Sequence, residues 1–343
     1  MGLKTYLDKA LNSVLKRYGY EIIRSSSLQE LQKYPEQPSY EQSTLPEGAT
    51  DYLQRNNSRL QELEARYAIF DNRVTAPLFW TDDFRRPTDR PDDIRYFRGE
   101  HTFRKEHGYL EQRTGGNMSI MGYALASFYV KSIDKLQLLE LLEEDDFFGV
   151  VTLRIDNRLV SRDLLDSIME IYFLEKYLSL SLSKDMTILD IGAGYGRLAH
   201  RMVCALPNIQ DYLCTDAVAI SSFISEYYLR FRGIEGRAKV VPLDEIENML
   251  RNRTVDIAVN IHSFPECRVS AIDWWLSLLE EHRVKYLMIV PHLEPLRTID
   301  SQDFGEIIEK HGYKLVAKDP KYRDPVVQQY AISPTYHYLF ELQ

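Results

Sequence analysis

With 343 residues, 44% of them hydrophobic, the chain has enough apolar material for one large domain or two ordinary ones and lacks the composition of a disordered protein. A formal net charge of −9 argues against a general electrostatic grip on nucleic acid. Three cysteines, none in a C-x-x-C pair, read as free buried thiols in a reducing, cytoplasmic setting; no run approaches the roughly 18 apolar residues that span a bilayer.

The first element is a short amphipathic helix. Leu3, Leu7, Leu11, Val14 and Leu15 fall at helical spacing among Lys4, Lys9, Lys16 and Arg17. Such a stripe fits packing on the same protein, a homodimer contact, or peripheral attachment to the inner face of a membrane. Residues 25–50 turn polar and proline-bearing and read as a linker. Residues 51–68 return to helical spacing with Leu53, Leu60 and Leu63, and the stretch 103–180 is mostly helical. This divides the chain into 1–50 (helix and linker), 51–183 (a helical region covering the substrate) and 184–343 (a cofactor-binding domain).

From Thr187 strands and helices alternate, which predicts a mainly parallel sheet with helices on both faces. Strands are expected at 187–191, 211–215, 238–242, 256–261 and 286–290. "GYKLVAKDP" and "TYHYLFEL" read as two closing strands with no helix between them. The first strand runs into Asp190 and then Gly192, Gly194 and Gly196 before a helical pattern begins. Glycines allow the left-handed turn and a close ligand approach, and the helix N-terminus offers free N–H groups. Dinucleotide sites favour G-x-G-x-x-G around a pyrophosphate, which a carboxylate at Asp190 would repel. The same carboxylate suits the amino group and sulfonium of S-adenosylmethionine (SAM). Asp216, 20 residues past Gly196, stands where a strand-end carboxylate accepts the ribose hydroxyls.

This set of strand, Asp, three glycines, helix, strand and Asp resembles class I SAM-dependent methyltransferases. A narrower likeness covers about three quarters of the chain. "NIHSFPEC" at 260–267 is similar to the N-x-x-S-F-x-E-M loop of bacterial sugar O-methyltransferases. "IRYFRGEH" at 94–101 and "YHYLFEL" at 336–342 are similar to segments of the same family. Departures from the pattern are Cys267 for Met and Glu100–His101 for Asp–Asn. The fold implied is a Rossmann-like α/β sheet with a closing antiparallel strand pair.

The resemblance implies cofactor contacts at Asp190, Gly192, Gly194 and Asp216, with Asp244 near the adenine and Arg98 and His101 facing a sugar-containing acceptor. Gly196 completes the turn, and Asn260 fixes the loop or touches the methionine moiety. His262 is the preferred base, since imidazole titrates near neutrality, with Glu266 orienting or replacing it. Asp244 also fits a helix cap, and Arg98 an ion pair with a nearby aspartate. The abundance of tyrosine, 23 residues, is compatible with aromatic faces around a glycan. No metal signature is present. Methyl transfer to a protein or a non-sugar natural product, and SAM binding without catalysis in a partner-docking protein, are the alternatives.

Overall fold

The computed structural model describes residues 44–71, 74, 78, 94–98, 111–150, 152–292, 294–331 and 335–343, with the side chains of 111–121 and 330 outside that set. The amphipathic N-terminal helix and His101 fall outside the described residues.

The central sheet has seven strands: β3 (Met186–Ile191), β4 (Ile209–Thr215), β5 (Ala238–Val240), β6 (Ile257–Ile261), β7 (Tyr286–Val290), β8 (Tyr313–Pro320) and β9 (Tyr336–Leu342). Their order is β5-β4-β3-β6-β7-β9-β8. β3 to β7 pair in parallel, and β9 runs antiparallel between β7 and β8. Every residue of β3 is buried, as a central strand with parallel neighbours on both sides requires. The expected strands are present. The closing pair differs in one respect: a six-residue helix, Pro325–Tyr330, lies between β8 and β9 and is started by Asp324, whose side chain accepts from Val326 N. So short a helix, begun by an Asp-Pro pair, leaves no amphipathic period to read.

Strand alternation sends successive side chains to opposite faces. Ile188, Cys214, Val259 and Met288 join one core, with α3 (Glu111–Ile133), α5 (Arg162–Leu178) and α6 (Arg197–Ala205). Leu189, Leu213, Ala258 and Leu287 join the other, with α2 (Ser58–Ala68), α7 (Ala219–Phe231), α8 (Ile246–Asn252) and α9 (Val269–Glu281). This sandwich leaves one edge of the sheet, the carboxyl ends of β3, β4, β6 and β7, for irregular loops.

The region before the sheet is less uniformly helical than its spacing predicts. The 51–68 stretch splits into α1 (Ala49–Tyr52) and α2, which starts at Asn57, whose side chain accepts from Arg59 N. Between α4 (Leu138–Leu141) and α5 lies a two-stranded hairpin, β1 (Thr152–Ile155) and β2 (Arg158–Ser161). Its turn residues Asp156 and Asn157 have φ of 50° and 65°, the backbone of the two-residue turns that match strand twist. Ser161 ends β2 and caps α5 by accepting from Leu164 N. Cys214 and Cys267 are buried, whereas Cys204 is exposed; all three are free thiols. No helix among the described residues is long and apolar enough to cross a membrane.

α2 attaches to the sheet domain in two ways. Leu60 and Leu63 are fully buried in the same cluster as Phe223 and Tyr227. At the rim, Arg59 meets Glu226 and Arg66 meets Asp244. Leu63→Ala is expected to cost about 2–5 kcal/mol in urea unfolding. Arg66→Ala, which removes a solvent-accessible pair, is expected to cost about 1 kcal/mol or less.

Candidate functional site

Strand order reverses at β3 and β6, the position where an open α/β sheet leaves a crevice beyond its carboxyl ends. The loop after β3 is the glycine turn. Gly192, Gly194 and Gly196 have φ of 76°, 57° and 85°, a region that side chains with a Cβ rarely adopt. The three have different surroundings. A Cβ on Gly192 would lie 2.2 Å from Ser263 Oγ, and one on Gly196 would lie 2.9 Å from Ser225 Oγ and 3.1 Å from Leu229. A Cβ on Gly194 would meet nothing within 4 Å. Gly192 is thus required by the loop after β6 and Gly196 by α7. Gly194 presents backbone to open space, with α6 beginning three residues later.

Asn260 holds the crevice in register. It is fully buried at the end of β6; its Nδ2 donates to Ile191 O at 2.8 Å and its Oδ1 accepts from Phe264 N at 2.8 Å. Both polar ends bond backbone, so Asn260 takes the loop-fixing role that was one of the two expected for it.

Two carboxylates flank the turn. Asp190 is buried and accepts from Tyr212 OH at 2.9 Å. Burial raises its pKa to about 7, against the lowering effect of that hydrogen bond. Asp216 accepts from Gly194 N at 3.0 Å and Val218 N at 2.8 Å. Its pKa is also raised to about 7, by burial that outweighs these backbone donors. Among the described residues neither carboxylate forms an ion pair, although Arg197 acts on Asp190 electrostatically.

Glu266 and His262 follow β6, but the structure does not pair them with each other. Glu266 Oε1 lies 2.9 Å from Nε2 of His292, two residues past β7, and Glu266 also bears electrostatically on Asp216. The His262 ring stacks on His292 with centroids 4.8 Å apart and planes 13° from parallel. Burial pushes the His262 pKa well below its usual value, and His292 pushes it further. His262 has φ of 64° and its N–H donates to Val290 O at 2.8 Å, which fixes its loop against β7. His292 was missed in the sequence; it follows a strand in "VPHLEP", where the strand-end rule that selects His262 also applies. Among the described residues no group of three His, Cys, Asp or Glu side chains is placed to hold a metal ion.

Two expected contacts are committed elsewhere. Asp244 accepts from Arg66 Nε and Nη2, each at 2.9 Å, and so secures α2. Arg98 has a fully buried side chain bonded to Glu144 at 2.7 Å and Asp145 at 2.6 Å. Burial alone would raise the Glu144 pKa, yet Arg98 and Arg201 hold it down at about 2. Arg98 therefore ties the 94–98 segment to the loop before the hairpin, through the kind of ion pair that was its alternative role.

No family model matches the chain, and no curated protein matches it. Solved structures do. A SAM-dependent methyltransferase of Clostridium acetobutylicum is 13% identical, over 51% of this chain and 90% of that one, with a TM-score of 0.38. The mitomycin 7-O-methyltransferase MmcR is 15% identical over 53% of this chain and 57% of its own, with a TM-score of 0.37. Magnesium protoporphyrin IX methyltransferase of Synechocystis, with bound SAM, is 8% identical over 65% and 97%, with a TM-score of 0.37.

Two outcomes follow from this geometry. Because the folded pKa values of Asp190 and Asp216 lie above the ordinary 3.8, the stability they contribute is present at low pH and lost as pH rises through about 7. Ligand-free protein should lose stability in urea between about pH 4 and pH 7, and Asp190→Asn should make that slope shallower. Gly192→Ala should lower the melting temperature more than Gly194→Ala, since only the former drives a methyl group into Ser263.

Proposed function

We propose that the chain binds SAM at the Gly192–Gly194–Gly196 turn and methylates a hydroxyl group of a sugar-containing acceptor. The observation that carries the cofactor is the pair Asp190 and Asp216, one buried and one partly exposed carboxylate beside the open backbone of Gly194, neither in an ion pair among the described residues. A cofactor bearing an ammonium and a sulfonium supplies the countercharge, whereas a pyrophosphate adds like charge. Asp216, just past β4, would accept the ribose hydroxyls once it ionises. Bound SAM supplies an electrophilic methyl group.

The residues across the crevice supply the proton acceptor. A hydroxyl must lose its proton as the methyl arrives, and a base in hydrogen-bond reach is the efficient route. His292 fits this role better than His262. Glu266 accepts from His292 Nε2–H, which leaves Nδ1 as the proton-accepting nitrogen and stabilises the imidazolium that forms. His262, kept neutral by its surroundings, supports the ring of His292 by stacking. Sugar as the acceptor rests on the likeness of 94–101, 260–267 and 336–342 to sugar O-methyltransferases, and the bonds of Arg98 remove one expected acceptor contact from that reading.

Calorimetry with S-adenosylhomocysteine (SAH) tests the cofactor. Binding should strengthen as pH rises through about 7 and release protons, because the carboxylates ionise to hold the ligand. Asp216→Ala should weaken it roughly 10- to 100-fold, the worth of a hydrogen bond to a charged group. His292→Ala should keep SAH affinity and lose about 10²- to 10⁴-fold in kcat for methyl transfer to sugar hydroxyls, read by mass shift. Failure of folded wild type to bind SAH would sink the proposal.

A further inference from the structure

The residues on either side of Gly196, Tyr195 and Arg197, both send their side chains from the glycine turn to one helix. The Tyr195 hydroxyl donates to Asp163 of α5. Arg197, the first residue of α6, meets Glu170 of α5 with both arms, Nη1 to Oε2 at 2.8 Å and Nη2 to Oε1 at 3.0 Å. Nη1 also donates to Ser167 Oγ at 2.7 Å, and that hydroxyl donates on to Asp163 O at 2.6 Å. Positions 163, 167 and 170 share one face of α5, since residues three and four apart are neighbours on a helix.

The Arg197–Glu170 pair stands on the same side of the sheet as Asp190. Asp190 alternates with Leu189, so it points toward the core that holds Ile188. There it accepts from Tyr212, a member of that core, and α5 and α6 cover this face. The two partners act on Asp190 in opposite senses: Arg197 favours its ionised form, whereas Glu170, like Asp216, disfavours it. Glu170 is fully buried and the Arg197 side chain is 18% exposed. A buried ion pair is weak evidence of a stabilising role, because apolar residues of similar volume often replace one without loss. What this pair does is fix a positive charge on the Asp190 side of the sheet and cancel it. Without Glu170, Arg197 would be a built-in countercharge for Asp190, competing with the positive charge that a ligand brings.

We propose that Glu170 is a positioning residue for the methyl donor: by holding Arg197 in a bidentate, charge-cancelling pair, it raises the affinity of the crevice for SAM relative to SAH. The proposal rests on the reading of the glycine turn as a SAM site. The two ligands share their adenosine and amino-acid ends and differ by one methyl group and the positive charge on sulfur. An uncancelled cation on the Asp190 side therefore opposes SAM more than SAH. In a methyl-transfer cycle the pair thus favours exchange of spent SAH for fresh SAM.

Calorimetry on the full chain tests this with SAM and SAH as separate probes, at pH 8, above the value of about 7 at which Asp190 ionises. Glu170→Gln keeps the shape of the side chain and leaves the Arg197 charge uncancelled. The ratio of the SAM Kd to the SAH Kd should rise about 3- to 10-fold over wild type, the size expected of one unit charge several ångströms away in a partly polar site. Glu170→Gln combined with Arg197→Met removes both charges, and the ratio should return to within about twofold of wild type. Equal weakening of both ligands in Glu170→Gln would make the pair a brace for the turn and overturn the proposal. If Glu170→Gln does not fold, Arg197→Met alone carries the test. Its ratio should fall below that of wild type, because the charge of Glu170 then adds to that of Asp190, and an unchanged or higher ratio would overturn the proposal. Wild type that binds neither ligand would remove the SAM reading itself, and this inference with it.

Discussion

Asn260 is the point on which the site depends. It sits where two parallel strands diverge in chain direction of connection, and a crevice there has no backbone ladder to hold its two loops at a fixed distance. One buried amide does so by donating to Ile191 O and accepting from Phe264 N. The spacing it sets is tight enough that Ser263 occupies the volume a side chain at Gly192 would need. It also starts the short turn that carries Glu266 toward His292. The glycine turn and the Glu–His pair, which come from separate parts of the chain, therefore share one reference point.

Charge is distributed around this crevice in two opposite ways. Where the fold needs rigidity, carboxylates are matched: Glu144 lies between Arg98 and Arg201, and Arg197 holds Glu170. Breaking such a buried pair leaves an uncompensated charge, so these contacts strongly favour one arrangement of the segments before the sheet over the glycine-turn helix. Beside the glycine turn, Asp190 and Asp216 form no ion pair among the described residues, and their pKa values rise to about 7. Perturbed carboxylates of this kind concentrate at functional sites, where burial and neighbouring charges are arranged to shift pKa values. The contrast between matched and unmatched carboxylates separates scaffold from site more clearly than exposure does.

Much of the fold was legible in the chain. Short apolar runs and the helical patterns between them located the sheet strands, and the Asp190–Gly196 pattern located the turn. The hairpin at 152–161 was not seen because its strands have four residues each, too few for alternation to stand out, although the Asp156–Asn157 pair carried the turn signal. Arg98 and Asp244 were assigned to ligands because a charged residue in a loop reads the same whether its partner is a substrate or a distant side chain. Their partners, Glu144 and Arg66, are 46 and 178 residues away.

What the sequence determined by itself is therefore whatever follows from neighbours along the chain: strand and helix periods, caps, and the left-handed turn that only glycines make without strain. What the tertiary structure decided is every pairing between distant segments. It joined Glu266 to His292 rather than to His262, and it spent Asn260 on backbone. It also gathered Asp166, Lys321 and His337 from distant parts of the chain into one buried group. Those outcomes depend on which strand ends lie side by side once the two cores close. Hydrophobic burial sets that arrangement for the molecule as a whole, and no local pattern records it.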